Sequence, residues 1–270
     1  TLGNHDANGN QTAFVDTYPM FSIFHLPTNG QAGGVPSGTE HYYSFDIGMV
    51  HFICLDSVTA SRAANGAMAN WLRADLSANT SRWTVAYWHY PPYTKGGYDS
   101  DARDILMDMR ENFGPIIEAG GVDLVMSGHS HVYERSYLIN GHYGLSTTFD
   151  TNTMQIQPGS GRETNGVGAY VKPDGLGEPP IGNRGTIYVV AGVGGEFTET
   201  GTLNHPAMFH SRRMLGSVVL DFASNRLDAI FLPTNGVPND WFSIIKEGTY
   251  PPILTNAAMA APGTFQFTVE

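Results

Sequence analysis

Cysteine is nearly absent from this chain of 270 residues: Cys54 stands alone, so no intrachain disulfide can form and the redox compartment stays open. Lysine is almost as scarce, with only three, Lys95, Lys172 and Lys246. Formal net charge is −11, and an overall field of that sign repels polyanions and argues against a nucleic-acid-binding surface. Any phosphate ligand must then be held by local positive charge such as bound metal. No stretch approaches the ~18 apolar residues of a membrane span, and no basic start followed by an apolar run marks a signal sequence. Internal repeats and low-complexity blocks are missing too, which removes solenoids and propellers. The first residue is Thr1 rather than methionine, and the chain reads as a processed or truncated product.

What is present fits a folded soluble protein with one large domain. Hydrophobic residues make up 41% of the chain, enough for a substantial core. The wealth of Gly, Asn, Thr and aromatics matches an extracytoplasmic bacterial protein, secreted or periplasmic. Two sequons, at Asn10 and Asn79, matter only in a eukaryotic secretory pathway.

Apolar, β-branched and aromatic runs predict strands at His51–Leu55, Trp83–His89, Val122–Met126 and Thr186–Ala191. Between them Met68, Trp71, Leu72 and Leu76 recur at helical spacing. So do Ile105, Leu106, Met109 and Phe113, with Asp99, Ser100 and Asp101 ahead of them as caps. Alternating strands and helices give α/β layering. Later, Ser217–Phe222 and Arg226–Leu232 form a hairpin around Ala223-Ser224-Asn225, Asp240–Lys246 adds a strand, and this half reads as antiparallel, so the class is mixed α/β. The Gly, Pro and Asn-rich stretch from Asp150 to Arg184 reads as a long surface loop.

Three clusters place imidazoles and amides at strand ends, where α/β folds put their sites: Gly3-Asn4-His5-Asp6, Trp88-His89-Tyr90-Pro91-Pro92, and Ser127-Gly128-His129-Ser130-His131. In the last, a glycine after a buried strand lets the backbone turn so that two histidines project the same way. Such a pair serves one metal, or one each of two metals about 3.5–4 Å apart. Each cluster alone also reads as a turn or as hydrogen-bonded structural histidines; three in this order, each after a strand-like segment, point to a shared site.

Gly-Asn-His-Asp, then Val85-Ala86-Tyr87-Trp88-His89, then Gly128-His129-Ser130-His131 followed by Val132-Tyr133-Glu134-Arg135 resembles the calcineurin-like metallophosphoesterase superfamily, with the Tyr-Glu-Arg tail pointing to its purple acid phosphatase-like branch. Similarity extends over about residues 1 to 247, leaving 248–270 as a linker and the opening strand of a further C-terminal domain. The resemblance implies a four-layer α/β/β/α sandwich lacking its first strands. It implies that Asn4, His89 and His129 bind one metal ion and His131 another, iron with zinc, manganese or iron. It makes His5 the group that contacts phosphate and protonates the leaving oxygen, oriented by Asp6. The implied reaction is hydrolysis of a small phosphate monoester by a metal-bound hydroxide, with no nucleic-acid or membrane partner. Phosphodiester or nucleotide hydrolysis on the same site is the alternative.

One departure is serious. The family's Asp-x-His and Gly-Asp-x-x blocks, which would precede Thr1 and bring the bridging carboxylate, do not occur in this sequence, so a catalytically incompetent fragment is the third reading. Other expectations are smaller. Glu134 and Arg135 read as an ion pair behind the histidine loop. Tyr90, Tyr93 and Tyr98 read as lining the opening, Cys54 as inert core, and His25, His41, His51, His142, His205 and His210 as structural or solvated.

Overall fold

The computed structural model describes residues 1–7, 13–173 and 185–247 in full and the backbone of 254–261 and 264–269. Its centre is a seven-stranded sheet. In chain order the first strands are β1 (Tyr43–Ile47), β2 (Val50–Cys54), β3 (Trp83–Trp88), β4 (Leu124–Ser127) and β5 (Tyr133–Ser136). They are followed by β6 (Tyr170–Pro173), β7 (Ile187–Ala191) and β8 (Met208–Arg212). The sheet order is β1-β2-β3-β4-β7-β5-β8, so β5 and β8 lie outside β7 although β5 precedes it in the chain. Strands β2, β3, β4 and β7 run parallel, whereas β1, β5 and β8 pair antiparallel.

The parallel strands are apolar on both faces because both faces are covered. Ala86, Trp88, Val125 and Val190 join a core with helices α2 (Ala67–Ala78) and α4 (Gly114–Ala119), while a short α1 (Pro19–Ile23) lies earlier in the chain. On the other face Trp83, Val85, Leu124 and Val189 pack against a second sheet, order β6-β11-β10-β9, formed by β6 with β9 (Gly216–Phe222), β10 (Arg226–Pro233) and β11 (Asp240–Glu247). Helix, sheet and sheet are three of the four expected layers. The outer face of the second sheet carries no helix among the described residues and leaves Val219, Leu232 and Trp241 exposed. Asp123 ties the sheets together: Lys172 of β6 and Lys246 of β11 each reach its buried carboxylate at 2.7 Å.

The β9–β10 hairpin forms around the expected turn, with Leu227 opposite Phe222. Two expectations change. The supposed loop from Asp150 contains β6, which runs parallel to β11, so the second sheet is not wholly antiparallel; the remainder to Arg184 lies outside the described residues. The helical run after Asp99 is not one regular helix. α3 (Asp104–Asp108) passes into a π-helical turn (Met109–Phe113) before α4, and Arg103 holds the N-cap position of α3 without a side-chain capping bond. Asp101 does not cap it because its carboxylate binds Lys95 and Ser146. Residues 248–253, the expected linker, lie outside the described set. Beyond them β12 (Leu254–Ala261) and β13 (Thr264–Val269) pair antiparallel with each other.

Candidate metal centre

Strands β3 and β4 are parallel neighbours with Trp88 opposite Ser127, so the residues leaving their C-terminal ends emerge side by side. Those residues are His89 and Gly128-His129, and Gly128 N donates to His89 O at 3.1 Å. The backbone reversal falls on His129 itself, with φ 60°, rather than on Gly128. Holding a histidine in the left-handed region is costly and marks a position fixed by its surroundings. Two tight turns follow, Ser130 N to Gly128 O and Val132 N to Ser130 O, both at 2.7 Å.

The N-terminal segment reaches the same point. Thr1 Oγ1 donates to Leu55 O just past β2, and Leu2 and Ala7 are buried against Tyr18, Phe21, Val58 and Tyr90. Between these anchors Gly3–Asp6 forms a turn closed by Asp6 N to Gly3 O (3.1 Å) and Gly3 N to the Asp6 carboxylate (2.8 Å).

Asn4, His89 and His129 thereby converge. Asn4 Oδ1 is 2.6 Å from His89 Nε2 and 3.3 Å from His129 Nδ1, and the two ring nitrogens are 3.1 Å apart. Burial is the main reason that His89 is pushed down to about 4 and His129 to about 3. Neighbouring imidazoles add to the effect in both. Both rings are therefore neutral at ordinary pH and keep lone pairs for a cation. Tyr98 stacks on His129 with ring centroids 3.9 Å apart, and Tyr90 meets it edge-on at 4.6 Å.

His131 does not join this triangle. Half-exposed, it lies beside Glu196, whose carboxylate is 3.6 Å from Nδ1, and its charge is felt by both His89 and His129. The segment bearing Glu196 is pinned to the loop by Thr198 N donating to His131 O at 2.9 Å. His5 and Asp6 are exposed beside Asn4. Among the described residues no hydrogen bond joins them, because the Asp6 carboxylate holds the Gly3 amide instead of orienting the His5 ring.

The sequence pattern of the calcineurin-like phosphoesterase family matches residues 1–133, the span that holds Asn4, His89, His129 and His131. Residues 1–133 thus carry a calcineurin-like phosphoesterase domain, similar to those of the purple acid phosphatases. The chain is 31% identical to purple acid phosphatase 18 of Arabidopsis thaliana over 166 residues, covering 60% of this chain and 36% of that protein. It is 34% identical to purple acid phosphatase 15 of the same plant over 139 residues, 50% of this chain and 24% of that protein. The chain thus spans about a third or less of the length of these relatives. Purple acid phosphatase PPD1 from yellow lupin (Lupinus luteus) seeds shares the fold, with a TM-score of 0.62 at 18% identity over 91% of this chain and 40% of that one.

A metallophosphoesterase implies divalent metal, and the donors fit one: an amide oxygen and two neutral imidazoles suit first-row ions and zinc. They fit incompletely. Among the described residues no three His, Cys, Asp or Glu side chains cluster as ligands, and no carboxylate enters the triangle.

The remaining expectations divide. Glu134 and Arg135 do not pair, since consecutive strand residues face opposite ways. Glu134 receives Thr94 Oγ1, while Arg135 lies on Asp240 at 2.6 Å. Tyr90 and Tyr93 are buried rather than lining an opening, and Tyr93 donates to His142 O. Cys54 is buried in β2. His25 is exposed; His41 pairs with Asp56, and His51 lies between Asp46 and Asp75. His142 and His205 are buried, and His210 binds Asn239 Oδ1. Glu196 and Arg103 carry no sequence signal of their own: Arg103 stands among Asp99, Asp101 and Asp104, Glu196 in a Gly and Thr-rich stretch, and only the folded loops bring them to the histidines.

Proposed function

We propose that this chain contributes the imidazole and amide part of a metal-dependent phosphoester hydrolase centre, acting on small phosphate monoesters. The triangle of Asn4, His89 and His129 carries the reading, because three neutral metal-ligating side chains converge within 3.3 Å of one another and repel no cation. These three hold one divalent ion; His131, with Glu196 beside it, faces a second, and iron with zinc, manganese or iron is the proposed content. When bound, the ions supply Lewis acidity and a nucleophile at neutral pH. His5, exposed next to Asn4, meets the phosphoryl group and returns a proton to the leaving oxygen, while Asp6 keeps the turn that presents it. With a net charge of −11, neither nucleic acid nor an anionic membrane is a proposed partner, and an extracytoplasmic location, secreted or periplasmic, completes the proposal. No helix among the described residues is long and apolar enough to cross a membrane.

Calorimetric titration with Mn²⁺, Zn²⁺ and Fe²⁺, paired with assays on para-nitrophenyl phosphate and its bis ester, tests this. Metal binding that His129→Ala abolishes, with faster turnover of the monoester, is the expected result. Heat unchanged by that substitution sinks the site, and preference for the bis ester moves the substrate to phosphodiesters. The all-neutral donor set of the described triangle also suits a second reading, a metal-binding module without turnover, which predicts the same binding and no hydrolysis.

A further inference from the structure

The described chain commits nearly all its cations. Lys172 and Lys246 sit on Asp123, Lys95 on Asp99 and Asp101, and the arginines other than Arg103 have carboxylate, amide or carbonyl partners. Arg184 lies outside the described residues. Arg103 is the exception: exposed, it has no hydrogen bond or ion pair from its guanidinium among the described residues. It is carried 5.3 Å over the Tyr98 ring, and Tyr98 is the ring that stacks on His129. Its place is fixed from behind by Arg110, whose buried guanidinium in the π-helical turn binds the carbonyls of Pro92 and Ser100 and so holds the loop between His89 and Arg103.

An unpaired guanidinium beside a candidate phosphate site, on a chain of net charge −11, has one good partner, an anionic oxygen group of the ligand. Its charge is also among those felt by His129. We infer that Arg103, held on Tyr98, is a specificity-determining residue that grips a second phosphate on the substrate, beyond the one placed at Asn4, His89 and His129. The inference rests on the phosphoester reading of that site and names its preferred substrate class: phosphate esters that carry a further phosphate.

The test needs no turnover. Binding of inorganic phosphate and of pyrophosphate to the full chain is measured by calorimetry with and without Mn²⁺, for the native protein, Arg103→Gln and Arg103→Lys. Circular dichroism and thermal unfolding verify that these exposed substitutions leave the fold intact. Arg103→Gln should weaken pyrophosphate by about ten-fold while changing phosphate little, with Arg103→Lys in between. A pyrophosphate-to-phosphate ratio untouched by Arg103→Gln, or no pyrophosphate binding to the native chain, overturns the inference. If Mn²⁺ does not bind yet pyrophosphate remains dependent on Arg103, the metal reading fails and the clamp stands. If Mn²⁺ and phosphate bind and Arg103→Gln changes nothing, the reverse holds.

Discussion

The side-chain oxygen of Asn4 lies 2.6 Å from Nε2 of His89 although 85 positions separate the two residues. That contact joins the N-terminal turn to the end of β3, and the oxygen is shared with His129. Asn4→Leu removes it and should lower divalent metal affinity by at least ~10-fold, since even groups behind the ligands are worth that much. Asn4→Asp puts a carboxylate into a triangle that has none and should raise affinity above native. Equal affinities in all three proteins, read by calorimetry, contradict a metal role for residue 4.

Gly192 closes β7 directly over the histidine loop. A Cβ there would stand 2.2 Å from Ser130 O and 2.9 Å from its carbonyl carbon. Backbone cannot give way as a flexible side chain can, so Gly192→Ala should cost about 1–3 kcal/mol of stability and displace His131 and Glu196 while sparing Asn4 and His89. Urea unfolding reads the first effect and histidine NMR shifts the second.

Asp240 is a buried hub at the start of β11. It accepts from Tyr133 OH at 2.8 Å, from Arg135 through Nε at 2.6 Å and Nη2 at 2.9 Å, and from Arg162 at 2.8 Å. Removing the carboxylate strands the Arg135 guanidinium in the interior. Asp240→Ala is expected to lose about 3–5 kcal/mol, measured by denaturant unfolding, whereas Arg212→Ala, on the surface, should change stability by less than about 1 kcal/mol.

Glu118 gives a pH signature. Burial pushes its carboxyl up to about 7 from 4.5, against the hydroxyls of Tyr143 and Tyr188 and the Gly141 amide. With a folded value above the unfolded one, the protonated form stabilises the fold. That contribution is complete below pH ~4.5 and is lost as pH rises through about 7. His142 and His205, pushed down by burial to about 4 and about 3, act oppositely: their contribution is present above the ordinary histidine value and is lost as pH falls. The native curve therefore mixes both signs, and the difference between native and Glu118→Gln isolates one. It should shift by on the order of 3 kcal/mol between pH 4.5 and 7.5 in favour of the variant at high pH. A difference independent of pH would refute the buried carboxyl.

Much of the fold was legible because parallel strands covered on both faces read as uninterrupted apolar runs. Trp83–Trp88 and Ile187–Ala191 fall within a residue of the expected positions. The convergence of His89 and His129 followed from motifs placed at strand ends, since adjacent parallel strands deliver their last residues together, whereas Asn4 arrives through a turn held on Leu55 by Thr1.

What stayed hidden depended on long-range pairing. Tyr133–Ser136 reads as polar yet is buried along its whole length, because Arg135 finds Asp240 at a separation of 105 residues and Glu134 finds Thr94. The Gly-His-Ser-His motif does not reveal that Glu196 lies beside His131, for that neighbour comes from a segment hydrogen-bonded alongside through Thr198 N and His131 O. The π-helical turn left no periodic signature, because one widened turn shifts helical spacing without breaking it.

The carboxylate of Asp123 occupies two of the three lysines in the chain. Their amines are withheld from solution as long as the two sheets stay together, Lys172 almost completely, with 1% of its side chain exposed. Amine-directed reagents applied to the folded protein will therefore find Lys95 before Lys172. Slow acylation of Lys172 and Lys246 then becomes a clock for how often the sheets part.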